Sequence, residues 1–235
     1  MKVKIYMAKI ILVHGMAANE KSWFEVPNYL QAEKHSVKSV RLPGHNQPFL
    51  SPSAPNIKMV DYVSEVIGHL PKSGESVILI GHSMGGQVIT HVAVKHPDRI
   101  DRLIYLAAML PQDGESANDI IEASNINPVK STLQLAPYIV KYGEVFASQP
   151  KSPLNEKLKL PDANDGNLLK QFNSIKRYYI LCSKDDVLPS AHQNIMLNNA
   201  GISSGNFITI KSDHIPQKSN SIKLNAALKR FINAV

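Results

Sequence analysis

The sequence predicts a doubly wound α/β fold: a mostly parallel sheet of about six strands, helices on both faces, and a small helical insertion between the fourth and fifth strands. Three observations carry this. Short runs rich in Val, Ile and Leu recur along the chain and stay apolar throughout instead of alternating, as strands covered on both faces must. Segments of helical periodicity lie between them. Successive strands are separated by ordinary crossover lengths at every step but one, where about 65 residues intervene.

Taken in order, "KIILV" at 9–13 reads as the first strand, and an amphipathic stretch over 23–34 leads to the second, "SVKSVRL" at 36–42. A helical pattern at 59–70 precedes "SVILI" at 76–80, and another at 84–96 precedes "RLIYL" at 102–106. After the long interval come "RYYIL" at 177–181, a helix at 191–199, "NFITI" at 206–210 and a closing helix at 219–234. Pro111, Pro128, Pro137, Pro150, Pro153 and Pro161 punctuate the long interval around short helical patterns such as "ANDIIEAS" and "APYIVKYGEVF". It therefore reads as a cap over 110–170, laid on a core made of 1–109 and 171–235.

Composition narrows the class. At 235 residues and 43% hydrophobic, the chain can bury a full core as one α/β domain. The net charge of +7 raises the question of nucleic acid or acidic lipid, but the lysines are scattered and lack interleaved aromatics, so neither nucleic acid nor membrane is expected as a partner. No run approaches the roughly 18 apolar residues of a membrane span, and the start, "MKVKIYMAKIILVHG", leads into a strand without a leader's cleavage signal. Cys182 is the only cysteine, which excludes an internal disulfide and suits a reducing cytoplasm.

The chemistry is concentrated in "SVILIGHSMGGQVITHVAV" at 76–94. Gly81-His82-Ser83-Met84-Gly85 fits the nucleophile elbow G-x-S-x-G, in which a strand turns so sharply into a helix that neighbouring side chains would collide unless they were glycine. The turn lifts the serine hydroxyl above the sheet and leaves the first helical N–H groups, beginning with Met84, aimed at developing negative charge. A serine nucleophile needs a base and an orienting acid. Acids follow the fifth strand in "CSKDDVLP" as Asp185 and Asp186, and His214 follows the sixth in "KSDHIPQ". The second oxyanion amide is expected from the loop after the first strand, "LVHGMAAN", at Met16. Neither zinc-hydrolase histidine spacing nor a phosphate-binding glycine loop occurs, so no metal or cofactor is expected.

In these stretches, and in "ILVHGMAANEKSWFEVPNYL", "YYILCSKDDVLP" and "SDHIPQKSNSIKLNAAL", the chain resembles the α/β-hydrolases, and among them the plant methylesterase and hydroxynitrile lyase group. The resemblance runs nearly end to end, with the cap matching poorly beyond its length. It implies an α/β-hydrolase fold, Ser83 as nucleophile, His214 as base, Asp185 as orienting acid by its spacing to Pro189, and the Met16 and Met84 amides as oxyanion hole. Lyase members carry a threonine after the first-strand histidine and a lysine after the catalytic histidine. Gly15 and Ile215 stand there, so a carboxylesterase acting on small apolar or aromatic esters is favoured over cyanohydrin cleavage. Lactone or C–C hydrolysis and a hydrolase-fold receptor remain open at this point, as does a homodimer.

The remaining polar residues have plainer readings. His14 and His82 are expected to pack or hydrogen-bond beside the elbow, His45 to shape the pocket edge, His91, His96 and His192 to sit on helix surfaces, and Cys182 to be a buried thiol. The cap carries six lysines against eight carboxylates, so nothing in it favours an anionic substrate. Its bulk comes from Leu133, Leu135, Tyr138, Ile139, Tyr142 and Phe146, which implies an apolar pocket; Gly15, Tyr138 and Tyr142 are the expected substrate contacts.

Overall fold

The computed structural model describes residues 7–49, 51–52, 56–71, 74–162 and 164–234. The reading of the extreme N-terminus therefore falls largely outside the described residues. Six strands form one sheet: β1 (Lys9–Val13), β2 (Ser36–Val40), β3 (Val77–His82), β4 (Ile100–Leu106), β5 (Lys176–Cys182) and β6 (Phe207–Ile210). Their order is β2-β1-β3-β4-β5-β6 and every pairing is parallel, so the sheet is the predicted doubly wound one. The order reverses between β1 and β3. At such a switch point the loops beyond the two strand ends diverge to opposite faces and leave a crevice.

The alternation of side chains divides the core. Ile11, Val13, Leu79, Leu103, Tyr105, Tyr179 and Leu181 face one way, against α2 (Met59–Gly68) and α3 (Gly85–Lys95). Ile10, Leu12, Ile78, Ile80, Ile104, Leu106 and Ile180 face the other, against Trp23, α1 (Val26–Ala32) and the last helix. β3 is buried at all six positions, whereas β2 and β6, at the sheet edges, are buried at one position each.

Between β4 and β5 the chain forms α4 (Ala117–Ala123), α5 (Pro128–Lys141), α6 (Ser152–Asn155) and α7 (Gly166–Ser174). α4 starts with a capping box, the Ser116 hydroxyl and the Asp119 carboxylate each taking the other's backbone N–H. Pro128 opens α5 at a position that needs no N–H. Pro137, read from sequence as punctuation, lies inside α5 on its exposed side. α7 crosses the expected boundary at 170, and its Phe172 joins the core on the α3 side. After β5 come α8 (Ser190–Asn199), then β6, α9 (Pro216–Ser219) and α10 (Ser221–Ile232).

Candidate active site

The strand-to-helix turn at Ser83 is built by close approach. A Cβ on Gly81 would lie 2.5 Å from the Gly85 carbonyl oxygen, and one on Gly85 would lie 2.4 Å from that of Val13, so neither position tolerates a side chain. Ser83 itself has φ +54°, a left-handed conformation that costs a non-glycine residue about 1–3 kcal/mol and persists only where surroundings enforce it. They do so here. The Ser83 N–H donates to Leu106 O at 3.2 Å, and Ser83 O accepts from Met109 N at 2.9 Å and Gly86 N at 3.0 Å. The hydroxyl is thereby held over the carboxyl end of the sheet, beside the β1–β3 switch point, with Met84 beginning the helical turn.

The two loops that follow β5 and β6 supply the acid and the histidine. His214 Nδ1 donates to Asp185 Oδ2 at 2.8 Å, and both side chains are buried. Asp185 is fixed by three further donors: Val187 N at 2.9 Å and Leu188 N at 2.8 Å on Oδ1, and Gln193 Nε2 at 3.0 Å on Oδ2. With Nδ1–H committed to the carboxylate, the free lone pair of a neutral His214 is on Nε2. Asp186 is exposed.

His82 donates from Nε2 to the His214 carbonyl at 2.8 Å, its ring centroid 4.9 Å from that of His214. Burial, with the neighbouring His214 second, pushes the His82 pKa down to about 3, so it stays neutral and holds the histidine loop without exchanging protons near neutrality. His14 donates to Gly15 O at 2.9 Å and accepts from Leu42 N at 3.1 Å, and burial likewise holds its pKa well below the usual value. These are the hydrogen-bonding roles expected of both.

The loop after β1 passes directly over the serine. A Cβ on Gly15 would lie 2.8 Å from the Ser83 Cβ, which explains the glycine. The loop is stitched to the cap: Ala147 N donates to Ala17 O and Asn19 N to Val145 O, each at 3.0 Å, and Gln149 Oε1 accepts from Ala17 N at 2.9 Å. Met16 follows Gly15 in this loop.

Gly15, Met16, Ser83 and His214 open on one cavity of about 340 Å³. Its walls are otherwise almost wholly apolar. Phe24, Phe49 and Met109 come from the core loops, Ile215 and Leu188 from beside the histidine and acid, and Ile121, Leu135, Ile139 and Phe146 from the cap. Ile121, Ile126 and Phe49 were missed in the sequence; the spacing of Ser131, Leu135 and Ile139, four residues apart on one helical face, was the legible signal for the roof.

Two expected substrate contacts are corrected. Tyr138 turns away from the cavity and donates to Asp213 Oδ2 at 2.6 Å, and Tyr142 packs edge-on behind Phe24, 5.2 Å between centroids, with the Lys218 ammonium over both rings. Neither residue lines the cavity, since α5 turns 135 and 139 inward and carries 138 to the adjacent face, and Tyr142 caps the helix just past its end. His45 lies behind the loop at 1% exposure, bonded to Ala18 O and Tyr62 Oη, and not at the pocket edge. His192 is buried in α8 instead of surface-facing, and His96 caps α3. Cys182 is a buried thiol whose pKa burial raises. Among the described residues, no three His, Cys, Asp or Glu side chains converge to hold a metal ion, and no helix is long and apolar enough to cross a membrane.

The profile of the alpha/beta hydrolase family matches residues 10–227. The chain belongs to that family. This α/β hydrolase is 26% identical over 255 aligned residues to salicylic acid-binding protein 2 of Nicotiana tabacum, covering 93% of this chain and 94% of that protein. It is 27% identical to methylesterase 8 of Arabidopsis thaliana, over 80% of this chain and 76% of the other, and 25% identical to norfluorocurarine synthase 1 of Strychnos nux-vomica, over 96% and 95%. Its fold is shared with a pyrethroid hydrolase from Sphingobium faniae JZ-2, at TM-score 0.76 and 23% identity over 97% of this chain and 98% of that one.

Proposed function

We propose that this α/β hydrolase is a serine carboxylesterase that cleaves small esters with an apolar or aromatic acyl group. The observation that carries the reading is the Asp185–His214 bond at 2.8 Å, made at the rim of the cavity into which the strained Ser83 elbow opens. Several relatives bear the name methylesterase, which agrees with it. In the proposed reaction, Ser83 Oγ attacks the ester carbonyl as His214 Nε2 takes its proton. The Met16 and Met84 amides hold the oxyanion, and the intermediate expels the alcohol, which leaves with the proton from His214. Water, deprotonated by the same imidazole, then releases the acid from the acyl-enzyme.

Two features weigh against cyanohydrin cleavage. Ile215 gives departing cyanide no cation, and the Cβ of a threonine at position 15 would come within 2.8 Å of the Ser83 Cβ in this arrangement. Incubation with a fluorophosphonate, followed by peptide mapping, should label Ser83 alone, and p-nitrophenyl and methyl esters of graded acyl size should be turned over while mandelonitrile releases no cyanide above the buffer rate. Cyanide release without ester turnover would replace the esterase with a lyase.

A further inference from the structure

Gln134 sits on α5, the helix that roofs the cavity, yet its side chain reaches neither cavity nor solvent alone. Its Oε1 accepts the backbone N–H of His214 and that of Asp186, both at 3.1 Å, and its Nε2 donates to Lys184 O at 2.7 Å and lies 3.4 Å from Asp186 Oδ2. One amide thus grips the histidine loop and both flanks of Asp185. One turn later, Tyr138 donates to Asp213 Oδ2, whose partner oxygen accepts from Ile215 N at 2.9 Å and Ser219 Oγ at 2.7 Å. The loops also touch directly, Lys184 N to Ser212 O at 2.9 Å, and Ile215 packs against Val145 and Phe146 of the cap, while Gln134 and Tyr138 supply the cap's polar hold on the loops.

The rest of α5 is lightly held. It has no fully buried residue, carries Pro137 within it, and turns Val129, Leu133 and Val140 to solvent at 66%, 68% and 87% exposure. Its apolar contacts below are those of Leu135, Tyr138 and Ile139 with the small cluster of Val145, Phe146 and Ile215. We propose that Gln134 is a positioning residue through which the roof helix holds the Asp185 and His214 loops in register, so that the acid–base pair is aligned only while the cap is docked. An apolar acyl group filling the cavity adds contacts to Leu135 and Ile139 and so favours the docked helix, tying alignment of the histidine to occupancy of the pocket. The inference rests on the serine-esterase reading of the site.

The test uses the full-length protein with Gln134→Leu, Gln134→Glu and Tyr138→Phe. Leucine removes the acceptor for both N–H groups; glutamate keeps it but loses the donor to Lys184 O and sets its second oxygen near Asp186 Oδ2. Because Gln134 is only half-buried, water can replace its bonds, so the loss falls on geometry more than on folding. A misplacement of about 1 Å in a catalytic group costs up to about 100-fold in rate. Gln134→Leu is expected to lower kcat about 10- to 100-fold with a smaller rise in KM, Gln134→Glu to recover only the part of the loss carried by the acceptor, and Tyr138→Phe to lower kcat less but in the same sense. The low-field proton resonance of His214 Nδ1–H in the Asp185 hydrogen bond should broaden or vanish in Gln134→Leu and persist in Gln134→Glu. Wild-type kcat together with an intact resonance in Gln134→Leu would overturn the proposal; if that variant does not fold, the same result in Gln134→Ala would do so. Should the unaltered protein hydrolyse no ester and take no fluorophosphonate, the esterase reading fails, and the resonance, which needs only the Asp185–His214 pair, still decides the role of Gln134.

Discussion

At the scale of single residues, the elbow and its partners were legible because each imposes a local chemical or steric demand. Glycines at 81 and 85 are required by backbone approaches of 2.5 and 2.4 Å, and such demands show in a bare sequence. The choice between Asp185 and Asp186 was not legible from chemistry, since adjacent carboxylates differ only in which way the turn points them. In the structure Asp185 receives four N–H donors, one of them from His214, and Asp186 is exposed. Asp185→Asn is therefore expected to reduce kcat by about 10⁴, through loss of the Nδ1–H tautomer, while Asp186→Asn changes it by less than about threefold. Steady-state kinetics on an ester that labels the wild-type active site decides the pair, and the reverse order would reassign the acid. Gln134 and Gln193 gave no signal at all: a glutamine's role depends on what its amide meets across the fold.

At the scale of elements, the central strands were readable because β1 and β3 to β5, past their charged first residues where they have them, are covered on both faces and must be apolar there. The edge strand β2 ends at Val40, two residues before the expected end, since only β1 pairs with it and that ladder stops at Val13 opposite Val40. The cap was legible as an insertion but not in its faces, and Tyr138 and Tyr142 were misjudged because aromatic bulk says nothing of helical phase. α3 passes close over β1 at Gly85. Gly85→Ala places a methyl 2.4 Å from Val13 O and 2.7 Å from His14 O and should destabilise by about 1–3 kcal/mol, seen as a Tm lower by several degrees. Gly166→Ala at the start of α7 meets nothing within 4 Å and should leave Tm unchanged or slightly raised, so a comparable fall in both variants would refute the packing argument.

At the scale of the whole molecule, buried neutral histidines couple folding to acidity. Burial lowers the pKa of His45 to about 4 and of His82 to about 3, and His14 falls well below its ordinary value, whereas in the unfolded chain each protonates near 6.5. A lowered folded-state pKa gives stability that is complete above about pH 6.5 and drains away as pH falls toward 4 and below. For His45 this is on the order of 3 kcal/mol. Tm should fall steeply from pH 7 to pH 4. His45→Gln should melt lower than wild type at pH 7 and approach it at pH 4; a constant gap across that range would contradict the assignment.

The lining of the cavity has a calorimetric consequence. A space of about 340 Å³ walled by Phe24, Phe49, Ile121, Leu135 and Ile139 offers a bound acyl chain few hydrogen-bond partners beyond the reacting end, the side chains of Ser22 and Ser131 among them. Binding of a non-cleavable ketone analogue should show a negative heat-capacity change that grows with each methylene that fits. A hydroxyl on the same acyl skeleton, placed against the Phe and Ile walls away from Ser22 and Ser131, would be desolvated without compensation, at a cost of about 1–3 kcal/mol. Hydroxylated congeners of a good ligand should thus bind about ten- to a hundredfold more weakly in titration calorimetry, making this pocket a discriminator between reduced and oxygenated carbon skeletons of equal size.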